Sequence, residues 1–214
     1  SENWWTNLLY LNNFLKIARH DERCLIQTWY LAADMQMFII SPIFLIIAYR
    51  YGLRPLFAVA GTTILASIIV TACLIATDDA PPTLGQVFNM RIKILNGEVQ
   101  RSDIPNSDGD VYMKPYCRIQ PYVMGMLLGY IICKNFFQEI QLPKKFVALL
   151  WIFAVILALT DVYAPYSAIK NDPHVWTIGE STAFWSLRFT IWGLCIVWLI
   201  IACHNNYAGV VKSV

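Results

Sequence analysis

Charge is scarce in this sequence. Asp, Glu, Lys and Arg make up only 14% of its 214 residues, whereas a soluble domain has about 25% charged residues. The hydrophobic fraction is 57%, the mean hydropathy is +0.50 and the formal net charge is +2. The few basic residues form no stripe with interleaved aromatic residues, so we expect no nucleic-acid partner. This composition argues against an ordinary soluble domain.

The sequence also lacks the short motifs that mark familiar catalytic and metal sites. It has no Cys-x-x-Cys or Cys/His spacing for zinc, no glycine-rich phosphate loop and no nucleophile elbow. Four of its six cysteines lie in or beside apolar runs, where cysteine behaves as a small hydrophobic residue. We therefore expect no metal site and no bound cofactor.

Long apolar runs are what the sequence does contain. A helix needs about 17–25 mostly apolar residues to cross the hydrocarbon core of a bilayer, and five stretches approach this length. The third is short, since its apolar part covers only 119–133, and we expect its helix to begin nearer Pro115. We predict an all-α polytopic membrane protein with about five transmembrane helices, near residues 30–49, 56–77, 116–133, 146–163 and 183–203.

Basic residues between the runs predict the orientation. Cytoplasmic loops of membrane proteins carry an excess of Lys and Arg. The connection after the first run holds Arg50 and Arg54, and the connection after the third holds Lys134, Lys144 and Lys145. We predict that both connections are cytoplasmic and that the N-terminus is lumenal or extracellular. Residues 1–28 then form a lumenal segment, and residues 78–115 form a long lumenal loop.

The first run contains an ionisable residue, Asp34. Residues four apart share a helix face, so Tyr30 and Asp34 stack, and Ser41 continues the same stripe. A carboxylate inside a membrane helix usually faces the bundle interior and is a functional candidate. The alternative is that Asp34 lies at headgroup depth and is simply solvated. Further along, Pro42 leaves the carbonyl of Phe38 without its helical partner.

A second polar cluster opens the third run. Arg118 and Tyr122 are four residues apart, and Lys114 and Tyr116 come just before them. Either these residues belong to a site, or they anchor the helix at the headgroup level, where charged and aromatic residues are common. The Gly-x-x-x-Gly motif that follows is more typical of close helix packing than of ligand binding.

The last run contains Arg188, with Trp185 before it and Trp192 after it. An arginine at that depth should pair with a carboxylate or bind an anion, and Asp34 and Glu180 are candidate partners. The alternative is that the side chain of Arg188 extends to the lumenal interface.

Three longer stretches carry a family resemblance. They are "NWWTNLLYLNNF", "TWYLAADMQMFIISPIFLI" and "YMKPYCRIQPYVMGMLLGYI", and the similarity continues through "FWSLRFTIWGLCIVWLIIAC". Together they resemble the acyltransferase-3 group of membrane proteins, in its animal branch similar to nose resistant to fluoxetine. The stretch "WYLAADMQMF" resembles a bacterial pattern of Trp, Ser and Leu with a Glu three residues later. Tyr30 replaces the Ser here, and Asp34 replaces the Glu.

The resemblance implies an integral membrane O-acyltransferase that moves an acyl group from acyl-CoA, a candidate donor, or from a related donor to a hydroxyl acceptor. Asp34 is then the predicted catalytic residue, which orients the base or binds the acceptor. The family's proposed catalytic His has no counterpart here, so the chain resembles the middle of the domain. Cys24 is expected to pair with a family cysteine before Ser1. The predicted substrate-binding residues are Trp29, Tyr30, Gln36, Tyr116, Arg118, Tyr122 and Arg188.

Two other functions stay open at this point. The same polar groups could bind lipids or small apolar molecules for transport or uptake, without any chemistry. They could also serve only as contacts between helices. In each case we expect a multi-pass protein of the endoplasmic reticulum or plasma membrane, with membrane lipids as partners.

Overall fold

The computed structural model describes residues 4–14, 26–77, 112–134, 142–166, 176–205 and 207. These residues contain helices and no strand. The predicted disulfide residue Cys24 and most of the predicted lumenal loop lie outside the described residues. The helices are α1 (Trp4–Leu8), a 3-10 turn (Ile26–Thr28), α2 (Trp29–Tyr51), α3 (Leu53–Thr77), α4 (Pro115–Cys133), α5 (Lys144–Tyr163) and α6 (Ile178–His204).

The all-α polytopic membrane fold predicted from the sequence is confirmed. Within the described residues, four helices are long and apolar enough to cross a membrane by length and composition: α2, α3, α5 and α6. The remaining long helix, α4, has 19 residues and carries Arg118 and Gln120 in its first two turns. It begins at Pro115, as expected, because proline at the first helical position gives up only a donor that has no helical partner.

The helix ends follow from local chemistry. Gly52 separates α2 from α3 with a φ of 82°, a backbone conformation that costs glycine little. The start of α6 has a capping box, in which Thr177 Oγ1 accepts from the Glu180 amide at 3.3 Å and Glu180 Oε2 accepts from the Thr177 amide at 2.7 Å. Inside α2, Ser41 Oγ donates to the Phe38 carbonyl at 2.7 Å. Serine thus supplies the hydrogen bond that Pro42 removes.

Helices α3, α4 and α6 form the centre of the bundle, and α2 packs against α3 and α4. One apolar cluster lies at the end where α2 turns into α3, and its buried members are Phe44, Ala48, Leu56, Ala60 and Val123. A second cluster joins the end of α3 to the starts of α4 and α6 through Ile75, Cys117 and Trp185. Successive helices therefore run in opposite directions.

Side-chain hydrogen bonds around Gln120 join the three central helices, α3, α4 and α6. Gln120 of α4 is fully buried. Its amide nitrogen donates to Ser67 Oγ at 3.0 Å, and its amide oxygen accepts from Thr190 Oγ1 at 2.9 Å. Ser67 Oγ in turn donates to the Tyr116 carbonyl at 2.6 Å. Because hydrocarbon offers no hydrogen-bond partners, a buried amide with partners on two other helices fixes their relative positions.

Helix α5 is peripheral. Its one buried residue in the described structure is Val147, and it packs mainly against α6. The indole ring of Trp151 lies 6.2 Å from that of Trp198, and Cys195 Sγ approaches the Ala154 carbonyl at 3.5 Å. Most other large side chains of α5 are exposed and apolar, which is the surface that a bilayer or a neighbouring membrane helix accommodates.

Candidate functional site

A cavity of about 670 Å³ opens at one end of the bundle, where α2, α4 and α6 begin and α5 ends. Apolar and polar side chains line it together. Its polar and charged residues come from four helices: Tyr30, Asp34, Arg118, Tyr122, Asp161 and Arg188. We call this the charged cavity. It holds two arginines and two carboxylates, so its formal charges balance.

Five of the eight residues predicted from the sequence line the charged cavity: Tyr30, Asp34, Arg118, Tyr122 and Arg188. The α2 face that lines it consists of Tyr30, Ala33, Asp34 and Met37, which is the spacing of one helical face. Ser41 does not continue this face into the cavity, because its hydroxyl is bonded to the backbone of its own helix. Asp34 itself is half-buried and forms no hydrogen bond with a described residue.

Arg118 is surrounded by aromatic rings. Its guanidinium carbon lies 4.9 Å from the ring centroid of Trp29, 4.6 Å from that of Tyr112 and 4.8 Å from that of Phe189. Cation–π contacts of this kind hold a guanidinium in an apolar setting without neutralising it. Trp29, which does not line the cavity, therefore contacts the predicted site through Arg118.

Arg188 is held in the same manner. Its guanidinium carbon lies 5.1 Å from the ring centroid of Phe184, 5.2 Å from that of Trp185 and 5.4 Å from that of Phe189. Among the residues that the structure describes, no carboxylate forms an ion pair with either arginine. The expected pair with Asp34 or Glu180 is not formed, and Glu180 caps α6 instead.

The sequence interpretation missed Asp161. This residue lies in the last turn of α5 and lines the charged cavity beside Val162 and Pro165. Arg188 of α6 lines the same cavity. The signal was present in the sequence, since the rule that singled out Asp34 applies equally to a carboxylate inside the fourth apolar run.

Like Trp29, the predicted substrate-binding residues Gln36 and Tyr116 lie outside the cavity lining. Gln36 Nε2 donates to Asn13 Oδ1 at 2.8 Å and to the Tyr10 carbonyl at 2.6 Å, and Asn13 Nδ2 returns a bond to Gln36 Oε1 at 3.0 Å. Lys114 Nζ donates to the Asn13 carbonyl at 2.8 Å. Asn13 thereby joins the start of α2 to the residue before α4, and it was not predicted.

Tyr116 contributes to packing in a similar way. Its backbone carbonyl accepts from Ser67, and its ring centroid lies 6.5 Å from that of Phe14.

No group of three or more His, Cys, Asp or Glu residues suited to a metal ion occurs within the described part of the chain. His204 ends α6 at the far side of the bundle from the cavity.

Membrane-spanning helices that enclose a balanced set of charges at one end define an integral membrane protein with a polar site inside its bundle. The chain belongs to the acyltransferase-3 family, since the family model described as "Acyltransferase domain" matches residues 2–211.

Two relatives from Caenorhabditis elegans are similar to the chain. The protein named "Nose resistant to fluoxetine protein 6" is 28% identical over 222 residues, which cover 99% of this chain and 25% of the relative. The protein named "Regulator of hypoxia-inducible factor 1" is 29% identical over 145 residues, covering 66% of this chain and 27% of the relative. The matched regions thus span about a quarter of each relative. No solved structure matches the chain.

Proposed function

We propose that the chain forms part of a membrane O-acyltransferase, which moves an acyl group from acyl-CoA or a related donor to a hydroxyl acceptor. Family membership supports a membrane acyltransferase in general. The observation that carries the finer proposal is that Asp34 shares one cavity with two arginines that have no ion-pair partner among the described residues. The endoplasmic reticulum or the plasma membrane is the proposed location, with membrane lipids as partners.

Arg118 and Arg188 have the chemistry needed to bind the acyl donor. A guanidinium has five donors in a planar fork that matches phosphate and carboxylate groups, and hydrogen bonds between charged groups are about twice as strong as neutral ones. The rings around Arg118 and Arg188 leave their charge available to an anionic group in the cavity. We therefore assign the phosphate groups of the donor to these two residues.

Asp34 is assigned to the hydroxyl acceptor. In the proposed reaction, the acceptor oxygen attacks the carbonyl carbon of the thioester, and the bond from carbon to sulfur breaks. The hydroxyl proton passes to a general base, and the thiol leaves protonated. No histidine lines the cavity in the described part of the chain, and the base is expected elsewhere in the full-length protein. Asp34 would bind the acceptor hydroxyl or orient that base.

The test uses full-length protein in membranes, supplied with labelled acyl-CoA and with lipid or glycan acceptors. We expect Asp34→Asn to lower turnover by about 100-fold or more at matched abundance, the usual range for losing acid–base assistance. Arg54→Gln is the control, because it removes a charge from an exposed position at the opposite end of the bundle. Equal turnover in Asp34→Asn and the control would refute the role of Asp34.

Transport of lipids or small apolar molecules is the second candidate function. It is favoured by the apolar share of the cavity lining, which includes Met37, Val162 and Trp192. A transporter should keep its binding of a labelled lipid when Asp34 becomes Asn, whereas an acyltransferase should lose turnover. If the polar groups only join helices, activity should follow abundance in every variant.

A further inference from the structure

Asp161 occupies an unusual place in the chain. It is the one charged residue between Lys145 and the end of α5, and α5 is apolar enough to cross a membrane. A carboxylate in such a helix is costly unless it meets a partner, water or a ligand. The position therefore demands a physical explanation.

The packing of α5 against α6 does not explain why α5 carries a carboxylate at this position. The described side-chain contacts of α5 with α6 involve Trp151 and Ala154, which lie ten and seven residues before Asp161. Asp161 forms no hydrogen bond and no ion pair with a described residue, although Arg188 lines the same cavity. Instead it is half-buried and lines the charged cavity.

We propose that Asp161 is a second carboxylate of the site and that it binds the hydroxyl-bearing acceptor. This inference rests on the proposed acyltransferase function and deepens it. The two arginines suit the anionic donor, which a carboxylate would repel. A carboxylate can only accept hydrogen bonds, so its natural partner in the cavity is a substrate with hydroxyl donors.

The arrangement of helices adds to the argument. Asp34 lies on α2, whereas Asp161 lies on α5, and α5 packs mainly against α6. The two carboxylates therefore belong to separate walls of one cavity. With Trp192 also lining the α6 side, Asp161 would hold the acceptor through a hydroxyl group while the reacting hydroxyl approaches Asp34.

The experiment compares Asp161→Asn and Asp161→Glu with Thr160→Val in full-length protein in membranes. Thr160 is an adjacent control, because it is exposed and its hydroxyl donates within α5 to the Ile156 carbonyl. Palmitoyl-CoA serves as the donor probe, and monooleoylglycerol and octyl glucoside serve as acceptor probes. KM is measured separately for donor and acceptor at matched abundance.

We expect Asp161→Asn to raise the acceptor KM about tenfold, with the donor KM and the kcat at saturating acceptor nearly unchanged, as for a lost binding contact. Asp161→Glu should recover part of this loss, and Thr160→Val should behave as wild type. A fall in kcat without a change in the acceptor KM, or a rise in the donor KM alone, would overturn the inference while leaving acyl transfer intact.

A binding measurement separates the inference from the proposed function. Wild-type protein without donor should bind octyl glucoside or monooleoylglycerol, and Asp161→Asn should weaken that binding about tenfold. Binding with this dependence but no acyl transfer would contradict the enzyme and support Asp161 as a hydroxyl-binding residue. Binding that is equal in wild type and Asp161→Asn, or absent in wild type, would overturn the inference.

Discussion

The two ends of the helix bundle use the same helices for different purposes. Where α2 turns into α3, apolar side chains such as Phe44 and Leu56 are buried together, and Tyr130 Oη donates to the Ala48 carbonyl at 3.1 Å. At the other end, the starts of α2, α4 and α6 surround the charged cavity. A cavity with unpaired charges adds little to stability, so close packing elsewhere has to hold the helices in place.

The largest effect on stability is expected from Phe44→Ala. This change empties a buried position at the packed end and should cost about 3 kcal/mol of stability. Turnover per folded molecule should stay near wild type, because Phe44 does not line the cavity. Thermal unfolding in detergent and acyl transfer at matched abundance measure the two quantities.

Asp34→Asn should show the reverse pattern, with low turnover and near-normal thermal stability. Equal losses of stability and turnover in both variants would contradict these different roles of the two ends. That result would mean that the two ends of the bundle cannot be changed independently.

A smaller effect is expected from Gly193→Ala, which lies where α6 crosses α4. An added methyl group would lie 2.8 Å from Met124 Sδ and 3.4 Å from the Cα of Pro121. Overpacking of this kind costs about 1–3 kcal/mol. Because Pro121 also lines the cavity, we expect turnover to fall together with the unfolding temperature.

Gly125→Ala is the matched control on α4, since an added methyl group there meets no atom within 4 Å. It should leave both the unfolding temperature and turnover near wild type. Equal behaviour of the Gly193 and Gly125 variants would contradict the close contact between α4 and α6.

The smallest effect is expected from Asn13→Ala. This change removes the side-chain bonds to Gln36 but keeps the carbonyl that accepts from Lys114. A net loss of about 1 kcal/mol follows from removing hydrogen bonds of this type, with at most a few-fold change in turnover. Asn13→Asp is a useful partner variant, because it keeps an acceptor for the Gln36 amide. A loss of turnover as large as that of Asp34→Asn would place Asn13 in the site itself.

Much of the fold could be predicted from the sequence, because long apolar runs have few alternatives in a membrane. Part of the site was also predictable. The spacing of Tyr30 and Asp34 puts both on one face, and the structure brings that face to the cavity. Gln36 is two residues from Asp34 and so points to another side of α2. The helical period alone could have predicted that Gln36 and Asp34 do not share a face.

Other features depend on packing between distant segments. The rings around Arg118 come from Trp29, Tyr112 and Phe189, and no local pattern relates these three positions. Asp161 lies near the end of the helix predicted at 146–163, and its place in the cavity depends on the packing of α5 against α6.

Phe189 is the neighbour that both arginines have in common, since its ring lies beside each guanidinium. Residues that share a partner do not respond independently to substitution. A lineage that replaced Phe189 would disturb two cations with one mutation, whereas a change at Trp29 or Phe184 would disturb only one. Among descendants of this chain, position 189 should therefore drift more slowly than either of those aromatic neighbours, and the two arginines should persist or disappear together.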